Sequence, residues 1–250
     1  MGYNHKTTKV SDAVRTCLAA CLCSIMALSA PHGGHADTAG EQARQRFTPD
    51  GTRLVFDASV VNEDGYDGID DPDAIELRAF LFEHPEIEVL ELSAEGGIVT
   101  AALDMAAVVV DYEIDTVVTG RCESACTLVF LAGANRTLAK GGRLGFHSAS
   151  WSRDDMKEFY ETLQESRGWV DEFAFASWVY EEAIRDFNKK LEYMVSRGVD
   201  VEFIIRAAYV HSDDIWYPSR VNLHSKLTHR DHLKMTHPGG SKAHRRAAPI

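Results

Sequence analysis

Ser124, His147 and the pair Gly96-Gly97 are the residues whose types and spacing could do chemistry together. Each follows or ends an apolar run, and between them they supply the parts of an acyl-transfer site. A serine at the tight turn that opens a helix is presented to a cleft, and the N–H groups at that turn face a developing oxyanion. A neighbouring glycine pair lets its own backbone approach the same point with no Cβ in the way. His147 can accept the proton that Ser124 must lose. Such chemistry also needs one carboxylate to orient the imidazole. The segment 37–224 holds 36 of them, and spacing alone selects none.

Positioning these groups requires strand ends that lie side by side. Residues 53–61 (RLVFDASVV) read as a strand, and an acidic, glycine-containing loop over 62–72 follows it. Asp73 is expected to cap a helix running to about His84, and residues 88–93 form a second strand that breaks at Gly96-Gly97. A small-residue helix is predicted over 98–111, a strand over 116–120, a helix over 124–132 and a strand over 143–147. Strands alternating with helices at this spacing imply βαβ crossovers and a parallel sheet, so the fold class is α/β. Residues 154–197 form a long charged segment of helical period, carrying Phe159, Leu163, Trp169, Phe173, Phe175, Trp178 and Tyr180. An aromatic content of this kind suits a core or an oligomer face better than a cofactor box. A short helix over 201–210 and a loop over 211–218 complete the body.

The ends differ from the body in charge. Lys plus Arg is 26 against 38 for Asp plus Glu, a formal charge of −12. Residues 1–36 carry +2 and residues 225–250 carry +5, which leaves −19 on 37–224. A body that acidic excludes binding driven by phosphate neutralisation, so no nucleic-acid partner is expected. A basic stretch from Lys6 to Arg15 precedes the uncharged run TCLAACLCSIMALSA, the pattern of a signal peptide. Cleavage after Ser29, Ala30 or Ala36 is sterically open, as is retention as an N-terminal membrane anchor; a lipobox at Cys21 lies too close to Arg15. The chain is therefore expected to be exported, periplasmic or otherwise extracytoplasmic. The domain plan is 1–36 signal peptide or anchor, 37–52 linker, 53–224 body with 154–197 as a helical insert, and 225–250 a basic disordered tail.

The runs LELSAEGGIVTAALDMA, TVVTGRCESACTLVFLAG and RLGFHSAS resemble the ClpP/crotonase superfamily, closest to Clp-type serine peptidases and exported relatives with a Cys-x-Ser-Ala-Cys-Thr motif. The resemblance implies a repeated ββα/βαβ spiral with a mostly parallel sheet, to which the long helical segment is added. It implies Ser124 as nucleophile, His147 as general base, and an oxyanion hole from the amide of Gly97 or Gly96 with that of Ala125. The acid it implies falls in the segment from His211 to Trp216, on Asp214, with Asp213 as the alternative. Self-association is implied as well. The sequence departs from the family where Ala94-Glu95 replaces the proline before the glycines, and where Glu123 adjoins the nucleophile.

Cys122 and Cys126 leave three readings open: buried packing residues, a disulfide in an oxidising compartment, or zinc ligands with His147, for which a fourth ligand is missing. No metal and no cofactor is expected; the tail histidines 224, 229, 232, 237 and 244 read as solvated. Lys140 and Lys157 are the lysines that a Ser-Lys variant would draw on, and neither sits in a motif. The function that follows is an exported, ATP-independent serine peptidase acting on peptides or unfolded chains. The alternatives are a catalytically silent scaffold of the same fold, and a crotonase-type thioester enzyme, which export separates from cytoplasmic coenzyme A.

Overall fold

The computed structural model describes residues 43–61, 67–223 and 226–227. The signal segment, the first residues of the linker, part of the acidic loop and the tail beyond residue 227 lie outside the described residues. Among the described residues no helix is long and apolar enough to cross a membrane.

The site hangs from a six-stranded, mostly parallel sheet with helical crossovers. Strand β1 (Phe47–Asp50) pairs antiparallel with β2 (Arg53–Asp57). Parallel to β2 run β3 (Val89–Ala94) and then β4 (Asp115–Glu123). The far edge of β4 is shared: β5 (Arg136–Leu138) covers Thr116 to Val118, and β6 (Arg143–Gly145) covers Arg121 to Glu123. β3 alternates half-buried and buried positions, with Leu90, Leu92 and Ala94 inward, as the period of a strand requires.

Three crossover helices pack on this sheet: α1 (Asp71–Glu83), α2 (Val99–Asp111) and α3 (Cys126–Ala132). In α2 Ala101, Ala102, Met105, Ala106, Val108 and Val109 are buried, and the alanines let neighbouring backbones come close. All seven residues of α3 are buried, so this helix, apolar all round, forms the centre of the core. The cap of α1 is Asp70 rather than Asp73. Asp73 instead completes a capping box from inside the first turn, where it is buried against Arg46 at 2.8 Å. That burial pushes its carboxyl up to about 6.

The long helical segment is two helices. α4 (Arg153–Arg167) is capped by Ser152 and ends at Gly168 in the left-handed region, φ 72°. α5 (Glu172–Ser196) starts at an Asp171 cap. An aromatic cluster joins them, with Phe159 5.9 Å from Trp178 and Trp169 4.9 Å from Phe175. The last turns of α5 return to the core through Met194, 1% exposed. α6 (Val201–Ala208) sets Phe203 5.1 Å from Phe146 and 5.0 Å from Trp216. α7 (Arg220–Leu223) follows.

Two boundaries expected from the sequence change. β1 falls inside the stretch assigned as linker, because a four-residue edge strand with one buried position has no alternation to read. The ordered body also runs past residue 224: Leu227 is 1% exposed, its carbonyl accepts from Arg136 at 2.9 Å, and Lys226 pairs with Asp200 at 3.0 Å.

Candidate active site

Ser124 sits between the end of β4 and the start of α3 with φ +50°, a left-handed conformation that costs a non-glycine residue about 1–3 kcal/mol. Several contacts hold it there. Its N–H donates to Gly145 O at 2.9 Å, and its carbonyl accepts from Thr127 N at 3.1 Å and Thr127 Oγ1 at 2.6 Å. Cys122 and Cys126, both fully buried, are joined by a disulfide that spans the turn. This excludes the zinc reading of the two thiols, and no cluster of metal-ligating side chains occurs among the described residues.

The glycine pair packs directly on this turn. A Cβ on Gly96 would stand 2.8 Å from Ser124 Cβ and 3.4 Å from Ser124 Oγ, so the approach needs glycine. Gly97 is fixed by a parallel bridge to Ile69, in which Ile69 N donates to Gly96 O at 2.8 Å and Ile98 N donates to Ile69 O at 2.9 Å. Across a trans peptide the C=O and N–H point in opposite directions. The Gly96 carbonyl is turned to Ile69, so the Gly97 N–H points away from Ile69. The same reasoning applies to Ala125: the Ser124 carbonyl is turned into the first turn of α3, so the Ala125 N–H points out of it. Neither amide has an acceptor among the described residues.

His147 is half-buried, two residues beyond the end of β6. Its Nδ1 lies 2.8 Å from Ser148 O. A carbonyl only accepts, so Nδ1 carries a proton, and in the neutral form of the ring Nε2 holds the lone pair. Phe146 beside it is locked in an antiparallel bridge with Trp216, both hydrogen bonds at 2.9 Å. No hydrogen bond joins His147 to Ser124 Oγ, and none joins it to a carboxylate, among the described residues.

Asp214 therefore does not take the place expected of it. The Phe146–Trp216 bridge brings its loop beside the chain that carries His147, yet its side chain is exposed and Oδ1 accepts from Ile215 N at 2.8 Å. The alternative, Asp213, pairs with His211 at 3.4 Å on the surface. Lys140 is exposed and Lys157 pairs with Glu161 at 3.7 Å, so neither belongs to the site.

Glu123 is buried and its carboxylate is held in a contact with Tyr217. Tyr217 Oη donates to it at 2.5 Å, and this bond raises the tyrosine pKa. Arg121 pairs with Glu95, tying β4 to the residue before the glycine pair. Tyr217 and the Ser148 carbonyl escaped the sequence reading. The first is one aromatic in a loop, and the second is a backbone atom, for which residue type carries no signal. No family model and no curated protein matches the chain.

Proposed function

We propose that the chain is an exported serine hydrolase acting on peptides or unfolded segments, built on a ClpP/crotonase-like spiral and working without ATP. The observation that carries this reading is the convergence on Ser124. A strained serine whose hydroxyl has no hydrogen bond among the described residues meets Gly96, whose missing Cβ makes room, and the backbone N–H groups of the residues that follow each of them, Gly97 and Ala125, have no acceptor among the described residues. Strain held by surrounding bonds is characteristic of functional positions. Two preorganised amides aimed at one point stabilise the oxyanion of a tetrahedral intermediate.

In this mechanism Ser124 Oγ attacks the carbonyl carbon and its proton passes to Nε2 of His147. The oxyanion is held by Gly97 and Ala125, and the imidazolium then returns the proton to the leaving amine. Water repeats the sequence to release the acyl group. The Ser148 carbonyl fixes the tautomer in which Nε2 accepts, the orienting part of the work a triad carboxylate performs. The mechanism requires a rotation of His147 or Ser124 that brings Oγ and Nε2 within reach; catalytic hydrogen bonds in free enzymes often tighten only with substrate bound. Self-association belongs to the same proposal.

A second reading, a catalytically silent scaffold, is favoured because, among the described residues, no hydrogen bond joins Ser124 to His147 and no carboxylate is bonded to His147. Incubation with an unfolded polypeptide such as reduced, carboxymethylated casein separates the two. Mass spectrometry should find new termini with the wild type and none with Ser124→Ala or His147→Ala. Intact casein with all three proteins supports the scaffold.

A further inference from the structure

Gly68, Ile69 and Asp70 form a short extended piece whose two edges face different neighbours. In an extended chain the N–H and C=O of one residue point to one side, and the C=O before it and the N–H after it point to the other. Ile69 turns its pair to the glycine turn, accepting from Ile98 N at 2.9 Å and donating to Gly96 O at 2.8 Å. On the opposite edge the Gly68 carbonyl accepts from Arg46 Nη1 at 2.8 Å, and Asp70 N donates to Asp73 Oδ2 at 2.8 Å. Arg46 and Asp73 close that edge on each other, Nη1 to Oδ2 at 2.8 Å. A buried ion pair thus stands where a neighbouring strand would.

The pair is itself braced. Arg46 Nε donates to Val60 O at 2.9 Å, and the Arg46 carbonyl accepts at 2.9 Å from the N–H of Asp57, the last residue of β2. Arg46 and Asp73 are 3% and 0% exposed, and Ile69 is fully buried. Ion pairs taken this far out of water add little net stability over apolar residues of the same volume. Their bonds do fix position. The Gly96 carbonyl follows Ile69, and the Gly97 N–H, on the other side of the same peptide plane, follows the carbonyl. Displacing such an amide by about 1 Å is enough to cost roughly 10²-fold in rate.

We propose that Arg46 and Asp73 are positioning residues for the Ser124 site: through Gly68, Ile69 and Asp70 they set the Gly97 N–H at the place where the oxyanion forms. This rests on the hydrolase reading. Both side chains act through the backbone, at one remove from the reacting atoms.

Combining Arg46→Met with Asp73→Val in the full chain removes both edge bonds without leaving a lone buried charge. Initial rates on reduced, carboxymethylated casein should show kcat lower by roughly 10² and KM within about threefold of wild type, the pattern of an interaction made only in the transition state. Asp73→Asn, whose side-chain carbonyl accepts the same two bonds, should keep kcat within about threefold of wild type. Arg46→Lys, which keeps the charge and loses the fork that reaches Val60 O and Gly68 O together, should fall between. Amide hydrogen exchange read by NMR needs no turnover. In the double variant the acceleration at the Ile69 and Ile98 amides should exceed that at Leu128 N, inside α3, by at least about tenfold, the size of one hydrogen bond lost locally. If the double variant does not melt cooperatively, Arg46→Lys carries the same two measurements. Unchanged kcat in the double variant, a loss in Asp73→Asn as large as in the double variant, or acceleration no greater at Ile69 and Ile98 than at Leu128 overturns the assignment. Selective acceleration in a protein whose wild type never cleaves casein leaves the hold on the glycine turn standing and removes the hydrolase reading; cleavage by the wild type with exchange raised evenly in the variant does the reverse.

Discussion

Replacing Ser124 by glycine should stabilise the fold relative to alanine, the opposite of what that comparison gives at an ordinary position. At φ +50° an alanine keeps the left-handed penalty of about 1–2 kcal/mol, and glycine escapes it. Glycine gives back about 0.5–1 kcal/mol because its unfolded chain is freer. The Ser124 hydroxyl makes no hydrogen bond among the described residues, so both variants lose the hydroxyl equally and differ in side-chain contacts only by the Cβ that glycine also lacks. The net expectation is Ser124→Gly more stable than Ser124→Ala by about 0.5–1 kcal/mol, or roughly 1–4 °C in Tm for a body of this size. Guanidinium unfolding with the Cys122–Cys126 bond intact measures the difference, and equal m-values confirm that the unfolded states match. A glycine variant less stable than the alanine variant by about 0.5–1 kcal/mol, the ordinary ordering, would refute the claim that the turn holds its serine under strain.

Gly97→Ala places a Cβ 2.2 Å from Ile69 N and 2.4 Å from Ile69 O, both backbone atoms. It should cost about 2–3 kcal/mol in a melting experiment and, where folded, lower turnover by about 10²–10³ through the displaced amide. Asp214→Asn should leave kcat/KM within about threefold of wild type, since its carboxylate binds Ile215 N; a drop approaching the ~10⁴ seen when a triad aspartate is lost would put Asp214 in the triad. Asp73 has a folded-state pKa of about 6, above the ordinary carboxylate value of 3.8, so the folded chain binds this proton more tightly than the unfolded one. The resulting stability is fully present below pH 3.8 and is lost as pH rises through about 6. Relative to Asp73→Asn, the wild type should therefore lose about 3 kcal/mol between pH 3.5 and pH 7; a difference independent of pH contradicts the raised value.

The parts of the fold with strong periodicity were legible in the sequence. β3, α2, β4 and α3 fall close to their predicted spans because alternation and small-residue runs mark them, and the glycine pair and Ser124 come with them. β1 and β5 were not legible: β5 is three residues with a single buried position, and its place is set by the edge of β4 rather than by its own pattern. The break in the long helical segment was signalled by Gly168 and the Asp171 cap, but the aromatic residues that run on across it hid the turn. Within the site, the residues on strand ends could be read and the loop residue could not. Asp214 is brought near His147 by the Phe146–Trp216 bridge, while the direction of its side chain is decided by a local bond to Ile215 N.

The most direct test of the central claim is the attachment site of a fluorophosphonate probe on the folded, oxidised wild-type chain, read by peptide mass spectrometry. The account predicts a single adduct on Ser124, slowed by at least about 10² in Gly97→Ala and absent in Ser124→Ala. No adduct on the wild type, or an adduct on another residue that persists in Ser124→Ala, contradicts it.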